Sequence, residues 1–386
     1  MKILFIHNDY IKPSGEEAAS GELARLLQEH GHEVRWFKKS SADIHGLWKK
    51  MEAFCLGIYN PRAARDLEKV LDEFKPDAVQ VQNLYPFIST SIFKPLKERK
   101  IPVVMRCPNY RLFCPNGVCL DREGRVCEKC LGNGKEFWCV YKNCLNSWLK
   151  SLGYALRGLQ ARQSKAILNG VDTFIVQSEF QKRKFVDQGI DANKISIVPG
   201  IAPIIDIPQE KSVSKYVSYV GRISFEKGIY EFIEAAKALP DIPFKVAGGI
   251  DVSYKAPVNL PSNIEFVGFL KGKDLDNFYL KSRIIVVPSK WYEGFPNVII
   301  RGMLLKRPII TTNIGAMQSI INNNVNGILV PPADWKSLAH AISELYNDER
   351  RCLELGYEGY KSAKDNYSRE KIYLLLTNIY DKLLAL

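Results

Sequence analysis

What this 386-residue chain lacks narrows its class before any motif is read. No stretch approaches the roughly 18 uninterrupted apolar residues of a membrane-spanning helix. There is no tandem repeat and no low-complexity tract. The opening Met1-Lys-Ile-Leu-Phe-Ile-His7 has only four apolar residues before polar His7-Asn-Asp9, too few for the apolar region of a secretory signal, and reads as a buried strand. The expected location is therefore cytoplasmic. Cysteine is present but uneven in number, at nine, and in a reducing compartment a disulfide framework is not expected. Metal binding or free thiols are the two readings left.

The length suits two domains of about 150 to 200 residues each. Hydrophobic residues at 46% and charged residues at 25% fit an ordinary globular chain rather than a disordered one. The net charge of +12 is uneven: residues 1–200 hold 31 Lys and Arg against 22 Asp and Glu, whereas residues 201–386 hold 23 against 20. An excess of this kind in the first half favours phosphates, nucleic acid or an acidic membrane face, or is a solvated basic surface.

Two α/β blocks follow one another, each opening with a short apolar strand. Lys2 to His7 leads through a Pro13-Ser-Gly15-Glu-Glu17 loop into a helical pattern at Leu23, Leu26 and Leu27 that ends at Gly31. Further strands are predicted at 78–81, 102–105 and 173–176. The second block repeats the scheme with Tyr216 to Val220, then Gly221 and a helix from Ile229 to Leu239. Its later strands are predicted at 244–247, 264–267, 284–287, 308–311 and 327–330. Alternation of this kind implies parallel, doubly wound sheets. The expected hinge lies in the proline-rich run from Val198 to Pro208. Residues 1–200 then form one domain and 201–368 a second, with a C-terminal helix over 369–386 packing back on the first.

Two segments have the composition of a ligand site. Gly221-Arg-Ile-Ser-Phe-Glu-Lys-Gly228 joins a strand end to a helix start, where Arg222 and Lys227 bring two cations to a natural anion site that suits a diphosphate. Taken alone, the octapeptide also reads as a surface turn with solvated cations. In Pro288-Ser-Lys-Trp-Tyr-Glu-Gly-Phe-Pro-Asn-Val-Ile-Ile-Arg301 a strand end is followed by a tight turn and a helix. Glu293 projects from that turn and the backbone amides of the stretch from Gly294 to Asn297 point into the same mouth, which suits a polyhydroxylated ligand with a phosphate. A plain helix cap with an exposed Glu293 is the other reading.

In order and spacing these segments resemble the glycosyltransferase family 4 enzymes of GT-B fold. Gly221-Arg222 to Lys227-Gly228 matches the family's G-R-x4-K-G, Glu293 to Ile300 begins its E-x7-E, and Gly315 and Asn326 to Asp334 are similar to its G-G-x-x-E and N-G-x-L-V-P-P-x-D. The resemblance implies two Rossmann-like domains facing a cleft and a retaining transfer from a nucleoside diphosphate sugar held by the second domain. It assigns Arg222 and Lys227 to the departing diphosphate and Glu293 to a donor-sugar hydroxyl. Gly15 and Glu16 are placed beside the diphosphate, and Gly221, Gly294, Phe295, Pro296, Asn297 and Arg301 around the donor. No catalytic metal is implied. The expected acceptor is a glycan or a polyprenyl-linked oligosaccharide of cell-surface polysaccharide synthesis, and a nucleic-acid partner is not expected.

Three departures stand out. Arg301 replaces the second Glu of E-x7-E, and a guanidinium has no acceptor for ribose hydroxyls. Ser319 stands where G-G-x-x-E has its acid. In the first domain Gln80-Val-Gln82-Asn83 and Pro108-Asn109-Tyr110-Arg111 replace histidine-bearing motifs, which leaves Asn83, Asn109, Tyr110 and Arg111 as the acceptor-side residues. A front-face displacement, in which the leaving phosphate takes the acceptor proton, tolerates these losses. The rival readings are a catalytically silent GT-B partner protein, which Arg301 favours, and a sugar-nucleotide 2-epimerase, for which no carboxylate and histidine set is found.

Between 107 and 144, six cysteines follow the pattern Cys114-x4-Cys119-x7-Cys127-x2-Cys130-x8-Cys139-x4-Cys144. The C-x2-C knuckle has the form of a structural four-thiolate zinc site. A family subgroup with a similar insertion implies Cys114, Cys127, Cys130 and Cys139 as ligands, the alternative being buried free thiols. Downstream, Trp138, Tyr141, Trp148, Lys150, Leu152, Tyr154, Leu156 and Arg157 mix aromatics with cations. They form either a peripheral contact with the inner, anionic membrane face or a helix with an aromatic core face.

Overall fold

The apolar runs become strands of two six-stranded parallel sheets, as the α/β alternation predicts. The structure is a computed structural model and describes residues 1–10, 15–42, 44, 46–132, 134–203, 205, 215–251 and 254–385. It divides into two compact units: residues 1–123, 127–201 and 372–386 form the first, and residues 124–126 and 202–371 the second. Part of the proline-rich run proposed as a hinge, residues 204 and 206–208, lies outside the described residues.

In unit 1 the strands are β1 (Lys2–Asp9), β2 (Glu33–Ser40), β3 (Ala78–Asn83), β4 (Val103–Arg106), β5 (Thr173–Val176) and β6 (Ile195–Ile197). Their order is β2-β1-β3-β4-β5-β6. β1, β3, β4 and β5 are buried almost throughout and read as apolar runs because helices cover both faces. β2 and β6 carry no such run. β2 is an edge strand with Glu33, Arg35, Lys38 and Lys39 along it, and β6 has three residues, so neither is visible as apolar periodicity. Gly15-Glu-Glu17, predicted as loop, is the first turn of the helix Gly15–Glu29, whose acids at Glu16 and Glu17 suit the positive end of a helix. Pro13 and Ser14 lie outside the described residues.

The final helix, Arg369–Leu384, sends Ile372, Leu376, Ile379 and Tyr380 into the core of unit 1 beside Ile3, Phe5, Leu23 and Leu27. At roughly 1.5 to 3 kcal/mol for each fully buried aliphatic side chain, this apolar face is what ties the chain end to the first sheet. The Tyr380 hydroxyl also hydrogen bonds to Gln80 Oε1 within β3.

In unit 2 the strands are β7 (Tyr216–Val220), β8 (Phe244–Ala247), β9 (Ile264–Gly268), β10 (Ser282–Val287), β11 (Ile309–Thr312) and β12 (Ile328–Val330). Their order is β12-β11-β10-β7-β8-β9. β7 and β10 are central neighbours whose following helices must leave on opposite faces of the sheet. A crevice therefore opens at their carboxyl ends, the topological switch point where doubly wound sheets bind ligands. The segments that start at these two carboxyl ends are 221–228 and 288–301. In unit 1 the equivalent point lies between β1 and β3.

Candidate active site

Two glycines set how closely the backbone approaches itself at the unit 2 switch point. A Cβ on Gly248 would lie 1.7 Å from the Gly221 carbonyl oxygen. Gly228, at φ +78°, ends the short 3-10 turn Phe225–Lys227 and begins the helix Ile229–Ala238, and a Cβ there would lie 1.9 Å from the Pro288 carbonyl oxygen. The loops after β7 and β10 are thus in backbone contact at a position that only glycine fills. Gly228→Ala is expected to lower the melting temperature and to remove any stabilisation by a bound donor. Thermal denaturation with and without donor checks this, and an unchanged melting curve would contradict the contact.

That contact sets Lys227 against Glu293. The Lys227 ammonium lies 2.6 Å from Glu293 Oε1, which also accepts from the Ser289 hydroxyl at 2.8 Å and the Trp291 indole N–H at 3.0 Å. Glu293 is 7% exposed, so the reading of an exposed carboxylate at a helix cap is incorrect. The β10 loop folds its carboxylate inward because three donors wait there. Burial alone would raise the Glu293 pKa, but the Lys227 charge and the three hydrogen bonds outweigh it and hold the group below the ordinary carboxylate value. The Lys227 ammonium also lies 5.3 Å from the Trp291 ring centre.

A cavity of about 120 Å³ opens beside this pair, lined by Lys227, Ser289, Glu293, Phe295, Pro296 and Asn297 among others. Gly221, Arg222, Gly294 and Arg301 do not line it. Arg222 is half exposed and bridges Glu226 and Asp251. Glu226 also accepts from Ser224. Arg301 lies on the helix Asn297–Leu304, where Asp276 of the helix Gly272–Lys281 neutralises it. Ser289, Trp291 and Asp276 were not singled out from sequence. Ser289 and Trp291 lie inside the recognised segment, whereas nothing in the local sequence ties Asp276 to Arg301.

In unit 1 the predicted first-domain residues meet around Tyr10. The Tyr10 hydroxyl donates to Glu16 Oε2 at 2.5 Å and accepts from Arg111 Nη1 at 2.8 Å. Asn109 donates to Glu16 Oε1 at 2.6 Å, and Arg111 donates to Asn83 Oδ1 at 3.2 Å. Glu16, which the resemblance placed beside the donor diphosphate, is in this structure a partner of the acceptor-side residues. Gly15 has open space where a Cβ would stand. Asn83, Asn109 and Arg111 line one cavity, while Tyr110 is buried and does not. Arg157, grouped by sequence with a membrane-facing surface, is buried as well, whereas Trp138, Tyr141 and Trp148 are exposed.

None of the nine cysteines is in a disulfide. Cys114 Sγ donates to Asn116 Oδ1 at 2.9 Å, and the thiol of Cys114 lies close enough to those of Cys119 and Cys130, and that of Cys139 to that of Cys144, to act on them electrostatically. The set Cys114, Cys127, Cys130 and Cys139 does not coincide with these contacts, and Cys127 is half-buried. Among the described residues, the group whose ligand atoms converge within 4.8 Å is His7, Asp9 and Glu17, where Lys38 also pairs with Asp9.

Residues 14–200 match the family model described as glycosyl transferase 4-like domain, and residues 202–362 the model described as glycosyl transferases group 1. The capsular polysaccharide biosynthesis glycosyltransferase CapM of Staphylococcus aureus is 30% identical over 177 residues, covering 44% of this chain and 46% of that protein. A 42.6 kDa protein of the cps region of Klebsiella pneumoniae is 26% identical over 270 residues, covering 69% and 65%. The O-antigen chain mannosyltransferase C of Escherichia coli is 28% identical over 172 residues, covering 43% and 46%. The chain thus spans less than two thirds of the length of each of these relatives. Among solved structures, Anabaena HepE in complex with UDP superposes with a TM-score of 0.68 at 17% identity, over 100% of both chains. Sucrose-phosphate synthase of Thermosynechococcus elongatus superposes with a TM-score of 0.68 at 18% identity, over 100% of this chain and 99% of that one. At these identities the likeness is one of fold. With glycosyltransferase models matching both parts of the chain and two doubly wound sheets beneath them, the chain belongs to the family 4-type glycosyltransferases of GT-B fold.

Proposed function

We propose that the chain moves a hexose or N-acetylhexosamine from a nucleoside diphosphate sugar, with retention of configuration, to a glycan or polyprenyl-linked acceptor in the building of a cell-surface polysaccharide. The observation that carries this reading is the Lys227–Glu293 pair, held by Ser289 and Trp291 at the cavity mouth between the ends of β7 and β10. An ionised Glu293 is acceptor-only and suits the hydroxyl donors of a sugar. Lys227 stands ready for the charge that grows on the diphosphate as the bond to the sugar breaks, and a preorganised cation of this kind stabilises the transition state above the ground state. In a front-face step the phosphate oxygen that leaves the anomeric carbon takes the acceptor hydroxyl proton, and the new glycosidic bond forms on the same face.

The names of the capsular and O-antigen relatives support polysaccharide synthesis, and the UDP complex of HepE supports a nucleoside diphosphate in this fold. Exposed Trp48, Tyr141 and Trp148 support a peripheral membrane contact from the cytoplasmic side. No helix among the described residues is long and apolar enough to cross a membrane.

A panel of UDP-, GDP- and other sugar nucleotides tests the donor. One of them is expected to raise the melting temperature and to be consumed with a lipid-linked acceptor, and a panel in which none binds would reject the proposal. Binding without turnover is the outcome of the second reading, a silent GT-B protein, which the neutralisation of Arg301 by Asp276 favours. For the cysteine segment we propose structural zinc. Cys114, Cys130 and Cys139 stay in the ligand set, and Cys119, which contacts Cys114, stands as an alternative to Cys127 for the fourth place. Elemental analysis is expected to find about one zinc per chain, reduced in Cys130→Ser, and metal-free wild type would reject it.

A further inference from the structure

Unit 1 holds buried positive charge that the donor chemistry does not use. Arg106 closes β4, is 2% exposed, and has no hydrogen-bond partner for Nε or Nη1. Arg157, on the helix Trp148–Gln163, is 5% exposed and has none for Nη2. Its guanidinium carbon lies 3.4 Å from the Tyr154 ring centre and 4.4 Å from that of Tyr85. Arg111 bonds Tyr10 and Asn83 through Nη1 and leaves Nε without a partner. All three arginines line one cavity. Among the described residues none of them is in an ion pair. The carboxylate that acts on Arg106 and Arg111, Glu16, is already engaged by Tyr10 and Asn109.

A buried guanidinium without a counter-charge is costly, and cation–π contact with two tyrosines offsets only part of that cost. Orphaned N–H groups on three convergent side chains call for an anion of more than one charge, and the planar fork of arginine matches phosphate oxygens. A second cavity, of roughly 820 Å³, shares Tyr85, Arg111, Tyr154 and Arg157 with the first. Away from the arginines its walls combine apolar Ile44, Ala53, Phe54, Pro86 and Leu149 with Ser41, Lys50, Ser147 and Lys150, contributed largely by the helices Gly46–Ile58 and Trp148–Gln163. The arginines therefore border a largely apolar chamber that also carries Lys50 and Lys150.

We propose that unit 1 binds an amphiphile with a phosphate or diphosphate head, the head on Arg106, Arg111 and Arg157 and the apolar chain in the adjoining chamber. This deepens the acceptor side of the proposed function, since a glycan acceptor carried on such a head would be placed by it, but the binding stands apart from transfer. The test uses the full chain without sugar nucleotide, and binding in unit 1 is recognised by its loss in variants of Arg157 and Arg106, which leave the unit 2 site intact. Farnesyl diphosphate, farnesol and inorganic diphosphate are titrated by calorimetry. Farnesyl diphosphate is expected to bind at least about tenfold tighter than either of its parts, since charge and apolar contact are then both satisfied. Arg157→Met is expected to weaken it by about tenfold or more, while the melting temperature of the free protein holds or rises because an uncompensated buried charge is gone. Arg106→Met is the second variant, with the same expected outcome. The proposal is overturned if farnesyl diphosphate binds no tighter than inorganic diphosphate or farnesol. It is equally overturned if both variants bind it as the parent does, or if they lose thermal stability with affinity unchanged. Because no transfer is measured, failure of the transferase reading leaves this result standing, and the reverse also holds.

Discussion

Lys227→Ala is expected to lower the rate of sugar transfer by about 10² to 10³-fold, the range typical of removing one preorganised charge-stabilising group. Lys227 lines the cavity, touches Glu293 and belongs to the short turn that Gly228 closes. Its ammonium offers more to a diphosphate that is gaining charge than to one that is not, so the loss should appear in kcat with a smaller change in KM. The fold should persist, since Ser289 and Trp291 still donate to Glu293 and a carboxylate that loses its counter-charge can take up a proton. Steady-state kinetics with the identified donor, beside a melting curve, separates the two effects. An unchanged kcat in a folded variant would remove Lys227 from the chemistry.

Glu293→Ala carries the second large effect, and here stability and function fall together. Removing one partner of a buried ion pair costs about 3 to 5 kcal/mol, and three donors are left without their acceptor. Because the Lys227 side chain is 24% exposed and reaches water, the lower end is expected, near 3 kcal/mol in a chemical denaturation experiment. Glu293→Gln keeps an oxygen for the three donors but not the charge, so it should fold better than the alanine variant while still weakening the donor.

The pair also has a pH signature. The Glu293 pKa is held below its ordinary value in the folded protein, so its contribution is complete above the unfolded carboxylate pKa, near 4.3. It is lost progressively as the pH falls from there through the folded value. Wild type should therefore lose stability more steeply than Glu293→Gln below about pH 4.5. Parallel acid profiles for the two proteins would mean that Glu293 is not ionised in the native state.

The identity of the switch-point loops was legible because glycines, cations and one acid sit at fixed offsets after two apolar strands. The spacing places Gly221, Lys227, Gly228 and Glu293 without reference to any other part of the chain. The direction in which Glu293 points was not legible. An acid in a turn is exposed unless donors gather on it, and two of its three come from the loop itself while the third crosses from residue 227. The pairing of Arg301 with Asp276, 25 residues away on another helix, has no local signature for the same reason.

By itself the sequence determined the fold class, ten of the strands and the two segments at the unit 2 switch point, because hydrophobic periodicity and glycine placement are properties of neighbouring residues. Only the tertiary structure decided which side chains share charge. The edge strands β2 and β6 stay in place through pairing with β1 and β5, not through an apolar pattern of their own. The cavity-lining arginines of unit 1 come from β4, the loop that follows it and a helix some 50 residues later, and their common lack of an ion-pair partner among the described residues appears only once the chain has brought them to one cavity. Burial is what turns a charged residue into a demand for a partner, and burial is not a local property of sequence.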